Sequence, residues 1–344
     1  MKKKIVHVIV LMSCITACGT ETVSSNAPEV TSKSSEVTVS VQEENTPVAS
    51  ITDTAEDIIP EEKTDEKLLL SSLSFTPGFG GNFEIVTTSY PLYEWTTTIL
   101  GQNPSDASVT MLYDGSSEVY KPSKEDLEKI AGCDIFIYTG GKTDTWVEQV
   151  EEDPDRIDIN LMDYLPGTNE DNSEYSCLSL MHAQNICWII EKCITDKDTN
   201  NYDIYYLNTL DYTEKLQELD LEYRNALYDS LPGVFACDCS LIHMFNDYGL
   251  TYYVADPAAE DTWNDALKAV NSLGNKYIFV NKESDEAIAD DFIEQTRDKN
   301  MEKLSLNIMR EAPENSSYIE IMSDNLNMLK KALTINLEET SDEK

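Results

Sequence analysis

From residue 82 onward the chain alternates short apolar runs with segments of helical spacing. Runs at 84–87, 109–112, 134–138 and 156–160 have the length and the Ile, Val and aromatic content of strands. Between them, 91–100, 123–131 and 144–151 carry helical spacing or start signals. Pro91 suits a first turn, and Ser123 stands as a cap with Glu125 and Asp126 behind it. A helical segment at 179–194 follows. Next comes a longer one from 201 to about 230, with Leu207, Leu210, Leu216, Leu219, Tyr223 and Leu227 largely on one side. At 1.5 Å per residue that helix is about 45 Å long. Strands then resume at 233–236, 251–254, 276–280 and 303–306, and a last helix is expected at 317–335.

This alternation predicts an α/β protein of two Rossmann-like lobes, each a mostly parallel sheet covered by helices, joined by one long helix. The expected divisions are an N-terminal lobe at 82–200, a connecting helix at 201–230, a C-terminal lobe at 231–335 and an acidic tail at 336–344. A single rigid connector implies little hinge motion and a ligand held between the lobes.

The first 81 residues have another texture. Lys2, Lys3 and Lys4 precede an apolar run, Ile5 to Met12, too short to span a bilayer as a mature helix. It ends in Ile15-Thr16-Ala17-Cys18-Gly19, which resembles a bacterial lipobox: small residues before the cleaved bond, then a cysteine whose thiol takes the lipid. Residues 1–18 are therefore expected to be a lipoprotein signal peptide, with Cys18 lipidated and acyl chains holding the protein on the extracytoplasmic face of the cell membrane. From Gly19 to Lys67 twelve acids stand against three lysines with no sustained period. Residues 19–81 are read as a disordered acidic linker with a reach of about 45 Å. Gly78-Phe79-Gly80-Gly81 precedes the first strand instead of following one, so it is linker and not a dinucleotide loop.

Charge narrows the partners. The chain holds 25 Lys and Arg against 64 Asp and Glu, a formal net charge of −39. Such a field repels nucleic acid and gathers cations. No nucleophile triad, phosphate loop or zinc-hydrolase motif is present, so an enzyme is not expected.

Several pieces in series resemble the substrate-binding lipoproteins of zinc and manganese ABC importers, a family that includes adhesin-like metal binders. They are Thr87-Thr88-Ser89-Tyr90-Pro91-Leu92-Tyr93, Tyr120-Lys121-Pro122-Ser123 with Asp126-Leu127, Gly140-Gly141 with Asp144-Thr145-Trp146-Val147, Leu178-Ser179-Leu180 with Ala183, and Asp247-Tyr248-Gly249-Leu250. The similarity runs from Phe83 to Leu333. It implies a monomer that binds a divalent metal ion, Zn or Mn, between its lobes and passes it to an ABC transporter permease. It also implies where the ligands fall. Glu118 stands at the first family histidine and Tyr175 at the second, next to Glu174. The third position is Cys237 or Asp238, and the fourth lies near Lys282 or Glu283. The imidazoles of the first lobe are thus replaced by a carboxylate and a phenol, and a phenol with a pKa near 10 is a poor zinc ligand at neutral pH. An oxygen-rich Mn²⁺ site, or none, is the expectation this leaves. The alternative is a lipoprotein of non-metal binding or adhesion that keeps the scaffold without the site. Cys237 and Cys239 are two apart at a strand end. They are read as reduced soft-metal ligands, as partners in a disulfide with Cys177, or as small buried hydrophobes. The mature chain has only two histidines, His182 and His243, which align with no ligand and are read as structural or surface side chains.

Overall fold

The structure, a computed structural model, describes residues 82–333 except 103–105, 114–119, 142–143, 166–172, 232, 238–239, 282–285 and 311–314, and omits the side chains of 173–175. The leader with Cys18, the linker and the acidic tail lie outside the described residues. So do Glu118, Asp238, Cys239, Lys282, Glu283 and the side chains of Glu174 and Tyr175. All described residues belong to one unit, Ser71–Lys344.

The first half runs β1 (Glu84–Thr87), α1 (Tyr90–Leu100), β2 (Ser108–Met111), α2 (Lys124–Gly132), β3 (Ile135–Tyr138), β4 (Ile157–Asn160) and α3 (Leu180–Lys197). A 26-residue helix, α4 (Tyr202–Leu227), follows. The second half runs β5 (Val234–Ala236), α5 (Ile242–Asp247), β6 (Tyr252–Val254), α6 (Glu260–Leu273), β7 (Tyr277–Asn281), α7 (Glu286–Gln295), β8 (Glu302–Leu306) and α8 (Tyr318–Leu333). The sheets are ordered β2-β1-β3-β4 and β6-β5-β7-β8, and all these pairings are parallel. This is the expected pair of parallel sheets covered by helices.

One expected helix is smaller than its pattern. The 144–151 segment forms only a 3₁₀ turn, Thr145–Gln149, whose buried side chain is Trp146. Glu148, Glu151, Glu152 and Asp153 crowd the end where a helix would place a negative pole, which opposes further turns.

Strand alternation divides the core. Ile85, Ile135 and Ile137 face a large central cluster, which also takes Val234, Ala236, Phe279, Leu304 and Leu306 from the second sheet. Their neighbours face outward onto two smaller clusters. Val86 and Phe136 pack with Ile130 and Trp146, and Phe235, Ile278 and Val280 pack with Ala266, Ala289 and Phe292. Each sheet is therefore covered on both faces, as parallel sheets require.

The long helix is not the sole link between the halves. The last helix, α8, returns to pack along α4. Its first residue, Tyr318, donates its backbone N–H to both carboxylate oxygens of Glu94 on α1, at 2.8 Å each. The Tyr212 hydroxyl on α4 donates to the same carboxylate at 3.3 Å, and so does the Tyr90 hydroxyl. The Tyr318 ring meets Trp95 edge-on at 5.1 Å, and its hydroxyl donates to the Cys177 carbonyl at 2.6 Å. Tyr223 adds a 2.6 Å bond from its hydroxyl to the Met322 carbonyl. A negative charge at a helix N-terminus is favourable, so Glu94 ties three helices at one point.

Candidate metal centre

In each sheet the chain reverses its direction of strand addition between the first and third strands, so the switch points lie at the carboxyl ends of β1 and β3, and of β5 and β7. Open α/β sheets bind ligands in the crevice outside such points. Of the expected ligand positions, Cys237 and Asp238 follow β5 and Glu283 follows β7, the strands of the second switch point, whereas Glu118 follows β2 and Tyr175 lies in the turn before α3. At the first switch point the Thr87 hydroxyl is buried with no hydrogen-bond partner.

The residues flanking Glu118 and Tyr175 are held by ring contacts and hydrogen bonds. The segment carrying Glu118 is flanked by Tyr113 and Tyr120, whose rings lie 5.6 Å apart, and Tyr120 meets Trp146 edge-on at 5.4 Å. Just beyond, Ser123 and Asp126 form a capping box. The Ser123 N–H donates to Asp126 Oδ2 at 2.9 Å, and the Asp126 N–H donates to Ser123 Oγ at 3.2 Å. Burial pushes the Asp126 carboxyl up, but the bonds from Ser123 and Tyr120 and the Lys129 charge outweigh it and hold it below the ordinary range. The turn carrying Tyr175, Ser173–Leu178, is fixed by the Tyr318 bond to Cys177. It leads into Ser179, which caps α3 by accepting the His182 N–H at 3.1 Å.

In the second half only Cys237 of the expected ligands is described. It is 2% exposed and lies in the outer apolar cluster with Phe235, Val280 and Phe292. Cys133, Cys177, Cys187, Cys193 and Cys237 form no disulfide with one another. Burial pushes the Cys133 and Cys193 thiols up to about 12, as expected of core cysteines. The structure does not bring Glu118, Tyr175, Asp238 and Glu283 into view together, because these four lie in segments or side chains outside the described residues. Among the described residues no three His, Cys, Asp or Glu side chains stand in a ready-made coordinating array.

Nothing in the sequence indicates that the two histidines meet. His182 on α3 and His243 on α5 have ring centroids 5.9 Å apart. They lie where α5 of the second half packs on the Ser173–Leu178 turn of the first. Asp247, one turn after His243, accepts a hydrogen bond from the Ser179 side chain. Burial pushes the His182 ring down, with His243 acting the same way and Asp247 and a Ser176 backbone hydrogen bond opposing. Burial likewise pushes the Asp247 carboxyl up, against the pull of Ser179 and both imidazoles. One signal could have exposed His182: it shares the apolar stripe of Ile186, Ile190 and Ile194 at helical spacing, so its burial was readable.

A separate cavity of about 720 Å³ lies against β3 and β4, lined by Tyr138, Gly140, Asp144, Arg156, Asp158 and Asn160 among others. Its polar groups serve each other. Asp144 accepts the Gly140 N–H at 2.9 Å, and Arg156 makes a two-point contact with Asp158 at 2.6 and 3.0 Å.

Two parallel sheets, each with its own switch point, a long connecting helix and a last helix that returns onto it make up a two-lobed α/β scaffold. The chain belongs to the family described as zinc-uptake complex component A, periplasmic, whose model matches residues 85–332. Among its relatives is the zinc-binding protein AdcA of Streptococcus pyogenes, 26% identical over 249 residues, covering 61% of this chain and 47% of that protein. This chain thus spans about half the length of that relative. The high-affinity zinc uptake system protein ZnuA of Bacillus subtilis is 25% identical over 288 residues, 74% of this chain and 89% of its own length. The Zn(II)-bound ZnuA-like domain of Streptococcus pneumoniae AdcA shares the fold with a TM-score of 0.61 and 24% identity, covering 73% of this chain and 99% of that one. The laminin-binding protein Lmb of Streptococcus agalactiae, described as having adhesin and metal-transporting activity, gives 0.64 at 18% identity over 73% and 99%. Among the described residues no helix is long and apolar enough to cross a membrane.

Proposed function

We propose that this chain is the lipid-anchored, extracytoplasmic cargo-binding protein of an ABC importer, and that it holds a divalent cation of the zinc and manganese class between its lobes. The observation supporting this most strongly is the family match across both halves, 85–332, which takes in the motifs framing every ligand position. In this reading Glu118, Tyr175 and Glu283 face the cation, with Asp238 as the third donor. Cys237 is the less suitable of that pair because its side chain packs in an apolar cluster. A donor set richer in oxygen than in nitrogen shifts preference toward Mn²⁺ relative to an all-imidazole site. Lipid at Cys18 keeps the monomer near its permease. Calorimetric titration of the chelator-stripped chain with Zn²⁺ and Mn²⁺ tests this. One-to-one uptake, weakened at least about tenfold by Glu118→Ala and Asp238→Ala, is expected. No uptake of either ion by folded protein rejects it.

The replacement of two imidazoles by Glu118 and Tyr175 favours one other reading, a scaffold that binds or adheres without metal. A partner that binds equally well in excess chelator would support that reading instead.

A further inference from the structure

The two sheets share one connectivity, β2-β1-β3-β4 and β6-β5-β7-β8, so β3 and β4 of the first half correspond to β7 and β8 of the second. The crossovers between those pairs are similar in length, residues 139–156 and 282–301. Their outcomes differ. In the second half α7 lies on the outer face, where Ala289 and Phe292 pack with Ile278 and Val280. Lys303 on β8 also reaches α7, pairing with Asp290 at 2.8 Å. In the first half the only helical turn among the described residues of the crossover is Thr145–Gln149. The outer face of β3 and β4 opens there into the cavity of about 720 Å³. Its floor is apolar. Phe136 and Tyr138 stack with ring centroids 5.1 Å apart, and half-buried Val147, Val150 and Met162 line the same space. Its rim is acidic. Exposed Glu148, Glu152 and Asp163 line it, and the one basic group among the described lining residues, Arg156, is taken up by Asp158.

We propose that this groove is a docking surface for a basic amphipathic helix of a partner protein, which takes on the first sheet the place that α7 takes on the second. Size and charge both support an occupant of that kind. A helix about 10 Å across with a pitch of about 5.4 Å fills roughly 420 Å³ per turn. The cavity of about 720 Å³ therefore takes nearly two turns. The floor receives the apolar stripe of such a helix, and the three rim carboxylates receive the Lys or Arg side chains that flank it. The second half shows the same device with the signs exchanged, since there the strand supplies Lys303 and the covering helix supplies Asp290. Strand addition along β4 suits the site less, because Arg156 and Asp158 place charges at that edge. The chain's own segments are poor occupants. Its linker carries twelve acids against three lysines, and a second copy brings another net charge of −39, so the rim repels both. A small organic ammonium would meet the carboxylates and leave most of the floor uncovered. None of these residues is an expected metal ligand, so the inference does not rest on the proposed function.

The test is fluorescence anisotropy of a labelled, end-capped peptide of about five turns, with leucine on one helical face and lysine on the other. It is titrated with the full chain in about 0.15 M salt, where distant charges are screened. Wild type is compared with the rim pair Glu148→Lys/Glu152→Lys, with Met162→Glu on the floor, and with Glu218→Lys/Glu222→Lys. The last pair makes the same charge change on the exposed side of α4, outside the groove. A peptide of the same composition with scrambled spacing is the second control. Affinity for the helical peptide should fall at least about tenfold in the rim pair and in Met162→Glu, and less than about twofold in the α4 pair. The scrambled peptide should bind wild type at least about tenfold more weakly. Glu148 and Glu152 are exposed, so the rim pair decides the matter should Met162→Glu fail to fold. Equal losses in the two charge-reversal pairs, or equal binding of the two peptides, reduce the attraction to net charge and overturn the inference. A folded wild type that binds neither peptide also overturns it. Spermidine binding that is lost in the rim pair, with no binding of the helical peptide, overturns it in favour of a small cation.

Discussion

Removing the Glu94 carboxylate should uncouple the last helix from the first half. In Glu94→Ala the Tyr90 hydroxyl keeps a second acceptor, the Ser316 carbonyl at 3.0 Å. The Tyr318 N–H and the Tyr212 hydroxyl lose the bonds the carboxylate gave them. The first loss resembles removal of a helix cap, about 1 kcal/mol, with roughly 0.5 kcal/mol more for the charge at the helix terminus. The second strands a buried hydroxyl and costs about 1–2 kcal/mol, toward the low end because the bond is 3.3 Å long. Together the destabilisation is about 3 kcal/mol. Glu94→Gln keeps one carbonyl acceptor and should cost about 1 kcal/mol. Urea unfolding followed by tryptophan fluorescence reads both, because Trp95 touches Tyr318 across the joint. In a Tyr212→Phe background the cost of Glu94→Ala should shrink by about 1 kcal/mol, since the stranded hydroxyl is gone. A Glu94→Ala protein within about 0.5 kcal/mol of wild type would refute the reasoning, because that is the size of an ordinary surface substitution.

Arg156 has a side chain 2% exposed and holds Asp158 and the carbonyls of Ile130 and Glu151. Arg156→Met should cost about 2–3 kcal/mol in urea unfolding and Arg156→Lys less, a fully buried pair costing more; Asp158 is 40% exposed and recovers water. The contact of His182 with His243 and Asp247 should also make metal-free stability depend on pH. His182 is held below its ordinary 6.5, so its stabilising share is present above that pH and is lost on acidification through and below it. Asp247 is held above its ordinary 3.8, so its share is present below that pH and is lost as pH rises through its folded value. Urea midpoints of chelated protein from about pH 8 to about pH 5 should therefore fall more steeply in wild type than in His182→Asn. Equal slopes would contradict the burial of the ring.

Periodicity alone located the eight strands of the described residues and the long helix, because each sheet is buried on both faces and its strands read as apolar runs between breaks. The same reading overextended 144–151, where one tryptophan among acids supports a turn and no more. Cys237 was ambiguous in sequence; alternation from Phe235 shows which face it takes, but only once the strand is placed. The return of α8 onto Glu94 was not readable, since residues 94 and 318 share no local signal. The meeting of His182 and His243 was hidden for the same reason: each looks structural on its own helix, and only the packing of α5 on the turn before α3 joins them. The ligand positions in the loops were legible only through resemblance, since short acidic loops carry no periodicity that marks a site.

The central claim is that this scaffold carries a divalent cation. Elemental analysis of the full chain, purified without chelator, desalted and compared with a chelator-treated sample, tests it most directly. About one equivalent of zinc or manganese per folded chain, removed by chelator and restored by the ion, is the result predicted. A folded chain with no metal above buffer background, before or after reconstitution, would contradict it.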